Sequence, residues 1–528
     1  MNNIKRTTQV LFLLAGKALH AQDKKIRQIG SLLTSLAKGH EFKQIALVRS
    51  KILIMLLIAA SLHADAQTVD SAKIKEVEEN LTAAIRLEGE GSWTISQRMA
   101  YYHVNALSVA VIQDYKMVWA KAYGWADDSL KVPATIKTLF QAASISKSLN
   151  SVGVLKLVQD KKIDLYGDIN NYLTSWKFPY DSLSKGKKIS MINLLSHTAG
   201  LTVHGFDGYS PGEPLPTIEE ILDGKKPANS DPVRSMYAPG LKSEYSGGGT
   251  VISQLIVTDV THEDYGHYMY DHVLKPLGMT SSTYAQPPVG KKSSLLATGY
   301  RPDGTEVKGK YHIYPEVAPA GLWTTPTDLA KYMIETQLAL EGRSHKVLDQ
   351  QSTKLRLTPY IDKGTALGVF IEDHDGTKYF THSGANEGFR SNYFGSLTGG
   401  NGVIVMVNSD NGEIMNEVIN SVARVYGFKG LYHSRTLTHA TVADSVLENY
   451  TGEYQLTPNF SLTFTREGNH LYGQGTGQPK LEFFPESQSR FYIRAGAIIE
   501  AEFMRDGNGR VEKMILYQNG AHEGKKIR

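Results

Sequence analysis

The pair of residues with the most chemistry in it is Ser144 and Lys147, in the stretch Phe140-Gln-Ala-Ala-Ser144-Ile-Ser-Lys147-Ser-Leu-Asn150. Residues three apart on a helix share a face, so a helix opening at Ser144 sets the Lys147 ammonium beside the Ser144 hydroxyl. A hydroxyl is a poor nucleophile until a neighbour takes its proton, and backbone N–H groups at a helix N-terminus can stabilise an oxyanion forming above it. The pair therefore reads as a serine prepared for covalent attack. Ser-x-x-Lys also begins at Ser35, Ser182 and Ser184, but Ser35 falls in a presequence and the other two in the polar run Asp181-Ser-Leu-Ser-Lys-Gly-Lys-Lys188. Only Ser144 is followed by an apolar helix: Leu149, Val152, Leu155 and Val158 form a stripe that Val154 and Leu157 extend nearly all round. Taken alone, Ser144 would be a helix N-cap.

The elements that must hold this pair follow from periodicity. Residues 106–112 and 116–124 read as two paired strands joined by Gln113-Asp-Tyr115, and residues 70–88, with Ile74, Val77, Leu81, Ala84 and Ile85 at helical spacing, as a first helix. Helical and loop patterns dominate from 160 to 340. Strand patterns return at 366–372, 378–382, 389–396 and 402–408, and an amphipathic helix follows at about 412–426. This order predicts the α+β class, with an antiparallel sheet built from N- and C-terminal segments, flanked by helices, and a helical region inserted between them. The expected organisation is a presequence over 1–66, a main domain over 67–430, a linker over 431–445 and a small antiparallel, barrel-like β domain over 446–528. Phe460, Phe464, Phe483, Phe484, Phe491 and Tyr492 supply the core of the last of these.

Two further motifs bear on the serine. Leu241-Lys-Ser-Glu-Tyr245-Ser-Gly247-Gly-Gly-Thr250 places a tyrosine before a glycine-rich turn into a helix, and Lys378-Tyr-Phe-Thr381 runs as a strand into His382-Ser383-Gly384-Ala385. In the order Ser-x-x-Lys, Tyr, His-x-Gly, the chain resembles the serine β-lactamase and penicillin-binding protein superfamily, in its class C β-lactamase, D,D-carboxypeptidase and esterase branch. The resemblance covers roughly residues 75–430, and Leu194-Leu-Ser-His-Thr-Ala-Gly-Leu201, Leu274-Lys-Pro-Leu-Gly-Met279 and Ala320-Gly-Leu-Trp-Thr-Thr-Pro-Thr-Asp-Leu329 agree with it. The C-terminal part resembles a lipocalin-like domain. The resemblance implies that Ser144 is acylated, that Lys147 assists as proton acceptor or tuning cation, and that Tyr245 acts as general base. It further implies an oxyanion hole of the Ser144 and Ala385 N–H groups and a substrate-binding wall of His382, Ser383, Gly384 and Gly247. An ammonium about 4 Å from a phenolate favours it by on the order of 4 kcal/mol at an effective dielectric near 20, which is the physical use of such a lysine.

Two departures qualify the expected substrate. Gly247 stands where the family often carries asparagine in Tyr-x-Asn, and His382 stands where it often carries the lysine of Lys-Thr-Gly. A histidine with an ordinary pKa near 6.5 would make carboxylate recognition strengthen in mild acid. The expectation is a serine hydrolase forming an acyl-enzyme on an amide or ester, such as a D-amino-acid peptide, a small ester or a β-lactam; the alternative is a non-catalytic penicillin-recognising or scaffold protein of the same fold. The expected partner is a small-molecule or peptide substrate.

Composition bounds the rest. Residues 1–66 hold ten Lys/Arg and three Asp/Glu of the chain's 57 and 53, leaving 47 against 50, a net of −3, which argues against a nucleic-acid-seeking surface. Arg49 and Lys51, the apolar run from Ile52 to Ala60 and Ala64-Asp-Ala66 read as a secretory signal cleaved after Ala66, too short to span a bilayer, so the expected location is periplasmic or secreted. Its depth in the chain is explained if translation starts near Leu47 or Val48. The absence of cysteine excludes disulfides, thiolate chemistry and Cys-ligated metals. His262, His267 and His272, spaced by five, turn away from one another on a helix and read as a surface face rather than a metal site; no cofactor is expected.

Overall fold

Ala106–Gln113 and Lys116–Asp127 pair as an antiparallel hairpin. Asp114 and Tyr115 both adopt positive φ in the connecting turn, the geometry that matches the right-handed twist of the flanking strands. This hairpin is joined along Ala106–Gln113 by Gly402–Val407, then in turn by Phe389–Ser396, Thr377–Asn386 and Phe370–His374, all antiparallel. With the short Val132–Pro133 at the other edge the sheet has seven strands, and segments from both halves of the chain meet in its middle. The α+β reading holds.

The computed structural model describes residues 71–82, 85–495, 497–518 and 520–528; the presequence and signal read over 1–66 lie outside the described residues. Alternation along the sheet separates two cores. Leu107, Val109, Val111, Val403 and Val405 face the helices Ile95–Tyr102 and Glu413–Tyr426. Ala110, Ile112, Phe380, Tyr393, Ile404 and Met406 face the larger helical region, whose centre is the helix Ser146–Gln159. That helix is buried on nearly every side, as its all-round apolar pattern required.

Three expectations shift. The first helix ends at residue 79, and Ile85–Leu87 is a strand paired in parallel with Arg435–Leu437, inside the stretch read as linker. Leu81 also bridges Trp93, so long-range pairing overrides the helical spacing of Leu81 and Ile85. The pattern at 366–372 forms a strand only from Phe370 onward, and the strand read at 378–382 runs on to Asn386.

Gly452–Thr457 through Ala521–Lys526 form a closed antiparallel barrel of eight strands. Phe464, Phe483, Phe491 and Phe503 pack inside it with Tyr450 and Tyr454, and mutually edge-on ring pairs such as Phe464 with Phe503, at 4.9 Å, fill the interior. Arg435 ties the segment before the barrel to it through Glu486 and Glu500.

Candidate active site

The turn that carries Ser144 is held from both sides. Phe140–Gln141 pairs with Trp323–Thr324, the Ala142 N–H donates to the Leu322 carbonyl at 2.8 Å, and the Leu322 N–H donates to Ser146 Oγ at 3.0 Å. From the sheet, Ser391 Oγ donates to the Ala142 carbonyl at 2.9 Å, and Asn386 Nδ2 donates to Gln141 Oε1 at 2.7 Å. Within this clamp Ala143 takes a φ of +49, unusual for a residue with a Cβ, and Ser144 lies in a single 3-10 turn, Ala143–Ile145, that runs directly into the helix Ser146–Gln159. His197 and Val203, on the wall beside Tyr245, also have positive φ, at 56 and 65, so three non-glycine residues around the site are held in a costly conformation by their surroundings.

Lys147 is buried and its Nζ donates to Ser144 Oγ at 3.1 Å and to the Pro319 carbonyl at 3.0 Å. The same nitrogen sits 4.8 Å from the ring centroid of Tyr245. No carboxylate lies within ion-pair distance of it among the described residues. Beneath the helix a second buried cation, Arg356, bonds only to neutral oxygens: Ser151 Oγ at 2.9 Å, the Ser148 carbonyl at 3.0 Å and the Tyr332 hydroxyl. Neither of these two cations has a carboxylate partner among the described residues.

Tyr245 is half-buried and precedes Ser246, which caps the helix Gly247–Thr261 by accepting from the Gly249 N–H at 3.0 Å. Its ring lies 4.4 Å from that of His197, 6.3 Å from His382 and 6.5 Å from Phe370. His197 accepts at Nδ1 from the Ser246 N–H at 3.2 Å, which places the proton of the neutral ring on Nε2. His197, within the Leu194–Leu201 stretch, packs on Tyr245. Nothing in its spacing says so, because the contact spans two separate segments.

The structure brings Gly384 against the nucleophile turn. A Cβ there would lie 2.1 Å from the Ala142 carbonyl oxygen, so glycine is required for the strand to approach the backbone behind Ser144. Ser383 and Ala385 are exposed, on the opposite side of the strand from His382 and Gly384. Phe370–His374 pairs with Thr377–Asn386 only as far as Thr381, so the edge of the strand from His382 onward has no sheet partner. Gly247 is buried, and a Cβ there would lie 3.0 Å from both the His204 carbonyl and the Phe206 ring; at this position the site presents packed backbone. Ser182 and Ser184 fall in a short turn, Ser182–Ser184, away from any such cluster. His267 and His272 are exposed and lie 4.0 and 3.6 Å from Asp264 and Glu263.

His382 departs from expectation. Its Nδ1 donates to the Ser383 carbonyl at 2.6 Å, and Nε2 is buried with no hydrogen-bond partner. Burial, and next the Lys147 ammonium, hold its pKa down to about 3, while burial and Lys147 likewise keep His197 well below the usual imidazole range. A buried ring held neutral does not supply the cation that carboxylate recognition strengthening in mild acid would need. The KM for an anionic substrate is expected to stay level, within about twofold, between about pH 7.5 and 5.5; a fall in the profile with an inflection near 6.5 would contradict this.

Glu316 is a buried group of another kind. Neither carboxyl oxygen has a partner, and it immediately precedes the turn Val317–Ala320, whose Pro319 carbonyl receives Lys147. Burial raises its pKa from 4.5 to about 7. Between those values the unfolded chain releases a proton that the folded chain keeps, so stability falls as pH rises through this window and the loss is complete above about 7. Glu316→Gln is expected to stabilise the fold by about 3 kcal/mol at pH near 8 and by little near pH 4.5, read by denaturant unfolding at both.

This fold and cluster define a serine β-lactamase-like protein. A Beta-lactamase family profile matches residues 94–425, so the chain belongs to that family, within the superfamily of serine hydrolases and penicillin-binding proteins; a second profile, a domain of unknown function (DUF3471), matches residues 438–528. Protein flp of Staphylococcus aureus (strain MW2) is 26% identical over 368 residues, 67% of this chain and 68% of that protein. Among solved structures, the octameric penicillin-binding protein homologue from Pyrococcus abyssi aligns with a TM-score of 0.57 at 21% identity, over 82% of this chain and 98% of that one. The D-amino acid amidase from Ochrobactrum anthropi SV3, complexed with L-phenylalanine amide, aligns with a TM-score of 0.52 at 21% identity, over 63% and 96%.

Proposed function

We propose that the protein is a serine hydrolase that cleaves an amide or ester through an acyl-enzyme on Ser144. The observation that carries this is the position of Lys147, hydrogen-bonded to Ser144 Oγ, lying over the Tyr245 ring and lacking a carboxylate counter-charge. Tyr245, as general base, takes the Ser144 proton while Oγ bonds to the substrate carbonyl carbon. The carbonyl oxygen becomes an oxyanion received by the N–H groups of Ser144 and Ala385. Collapse breaks the bond to the amine or alcohol, which leaves with the proton carried by Tyr245. Water then attacks the acyl carbon by the same route and frees Ser144. The open strand edge from His382 to Asn386 offers a backbone against which an extended acyl group can pair. The substrate is a D-amino-acid peptide, another small D-amide, an ester or a β-lactam, and the likeness to a D-amino acid amidase fits this range. The signal-like stretch at 49–66 supports action outside the cytoplasm.

Labelling the intact protein with a fluorophosphonate, followed by peptide mass spectrometry, tests the reading. The expected adduct is on Ser144. Absence of labelling, together with no turnover across a panel of esters and D-amides, would instead support a protein that recognises such molecules without cleaving them.

A further inference from the structure

The leaving-group side of the cleft carries a selectivity that the motif alone does not state. In the proposed reaction Tyr245 hands its proton to the departing group, so that group leaves on the Tyr245 side, which His382 borders with its ring 6.3 Å from that of Tyr245. His382 offers no charge there. Its N–H is committed to the Ser383 carbonyl, and what remains is the buried, unpartnered lone pair of Nε2. Three cations on flanking segments are committed to carboxylates: Arg390 pairs with Asp410 at 2.8 Å, Arg301 with Glu387 and Asp410, and Lys242 with Glu244 at 2.6 Å; Arg356 is buried against Ser148, Ser151 and Tyr332, and the exposed His204 ring bonds the Tyr245 carbonyl. Lys147 lies behind the serine, bonded to Ser144 and Pro319.

We infer that the site selects substrates whose leaving group bears no carboxylate, so that uncharged amides and esters, rather than peptides ending in a free carboxylate, are its substrate class. A carboxylate entering here loses its water and finds the exposed Ser383, with no cation supplied by the buried His382 ring. An uncharged carboxamide or alcohol loses far less on entry. The inference rests on the hydrolase reading and narrows it, and it disfavours β-lactams, whose ring carries such a carboxylate.

A matched pair of aryl acetates separates the two claims. 4-Acetoxybenzoate and 4-acetoxybenzamide share the acyl group and release phenols that differ in a carboxylate against a carboxamide. The expected kcat/KM is about tenfold or more higher for the benzamide. His382→Lys, which puts an ammonium in place of the neutral ring beside Tyr245, is expected to shift the ratio towards the benzoate by about tenfold; should that variant fail to fold, the ratio in the unsubstituted protein stands as the test. Equal or faster cleavage of the benzoate would overturn the inference and leave the hydrolase reading intact. Cleavage of neither ester would overturn both.

Discussion

Ser144→Ala is expected to abolish turnover, lowering kcat/KM on an activated ester by about 10⁴-fold or more, the scale on which removal of a covalent nucleophile acts. The fold should survive it. Ser144 is half-buried, and the clamp on its turn is made by Ala142, Ser146, Leu322 and Ser391, not by the Ser144 hydroxyl. The substitution removes one acceptor of Lys147 and keeps the other, the Pro319 carbonyl, so the ammonium stays in place. Ser182→Ala, at the same local spacing from a lysine, should turn over normally, because Ser182 sits in a short turn, Ser182–Ser184, outside the cluster of Ser144, Lys147 and Tyr245. Steady-state kinetics on the three proteins decide this: activity retained in Ser144→Ala, or lost in Ser182→Ala, would remove Ser144 from the chemistry.

Lys147→Met carries the second large effect, a loss of about 10²–10⁴-fold in kcat with a smaller change in KM, the range expected when the proton-transfer apparatus is broken and binding kept. Methionine follows the same path through the helix but carries no charge and no N–H, so it gives up the bonds to Ser144 Oγ and Pro319 together with the field over the Tyr245 ring. Tyr245 then loses the cation over its ring, and Arg356, under the helix against Ser148 and Ser151, does not replace it. Tyr245→Phe should cost a similar factor. If lysine and tyrosine act as one proton-moving unit, the double substitution costs little more than either single one, since the second change removes a function already lost. Losses that multiplied in the double variant would show that the two residues contribute independently.

The features legible along the chain are local or periodic. The spacing of Ser144 and Lys147 on one helical face, and the all-round burial of the helix behind them, follow from 3.6-residue geometry and needed no partner to be seen. The hairpin over 106–124 and the strands over 389–408 followed from alternation, and the order of motifs led to the family. The sheet's capacity to bring Gly384 against the turn at Ser144 was present only as a glycine in a motif.

The remaining features depend on which distant surfaces meet. His382 has the same side chain in any setting, but its neutrality comes from losing water and lying near Lys147, and neither can be counted along a chain. His197 became a support for Tyr245 because the turn before it and the cap after Tyr245 fold onto each other. The helical spacing at Leu81 and Ile85 gave way to bridges with Trp93 and Arg435, because pairing over long range outweighed a weak local preference. Periodicity is written in the backbone's own geometry, whereas charge state and ring packing are set by desolvation, and desolvation exists only once the remote segments have closed around the site.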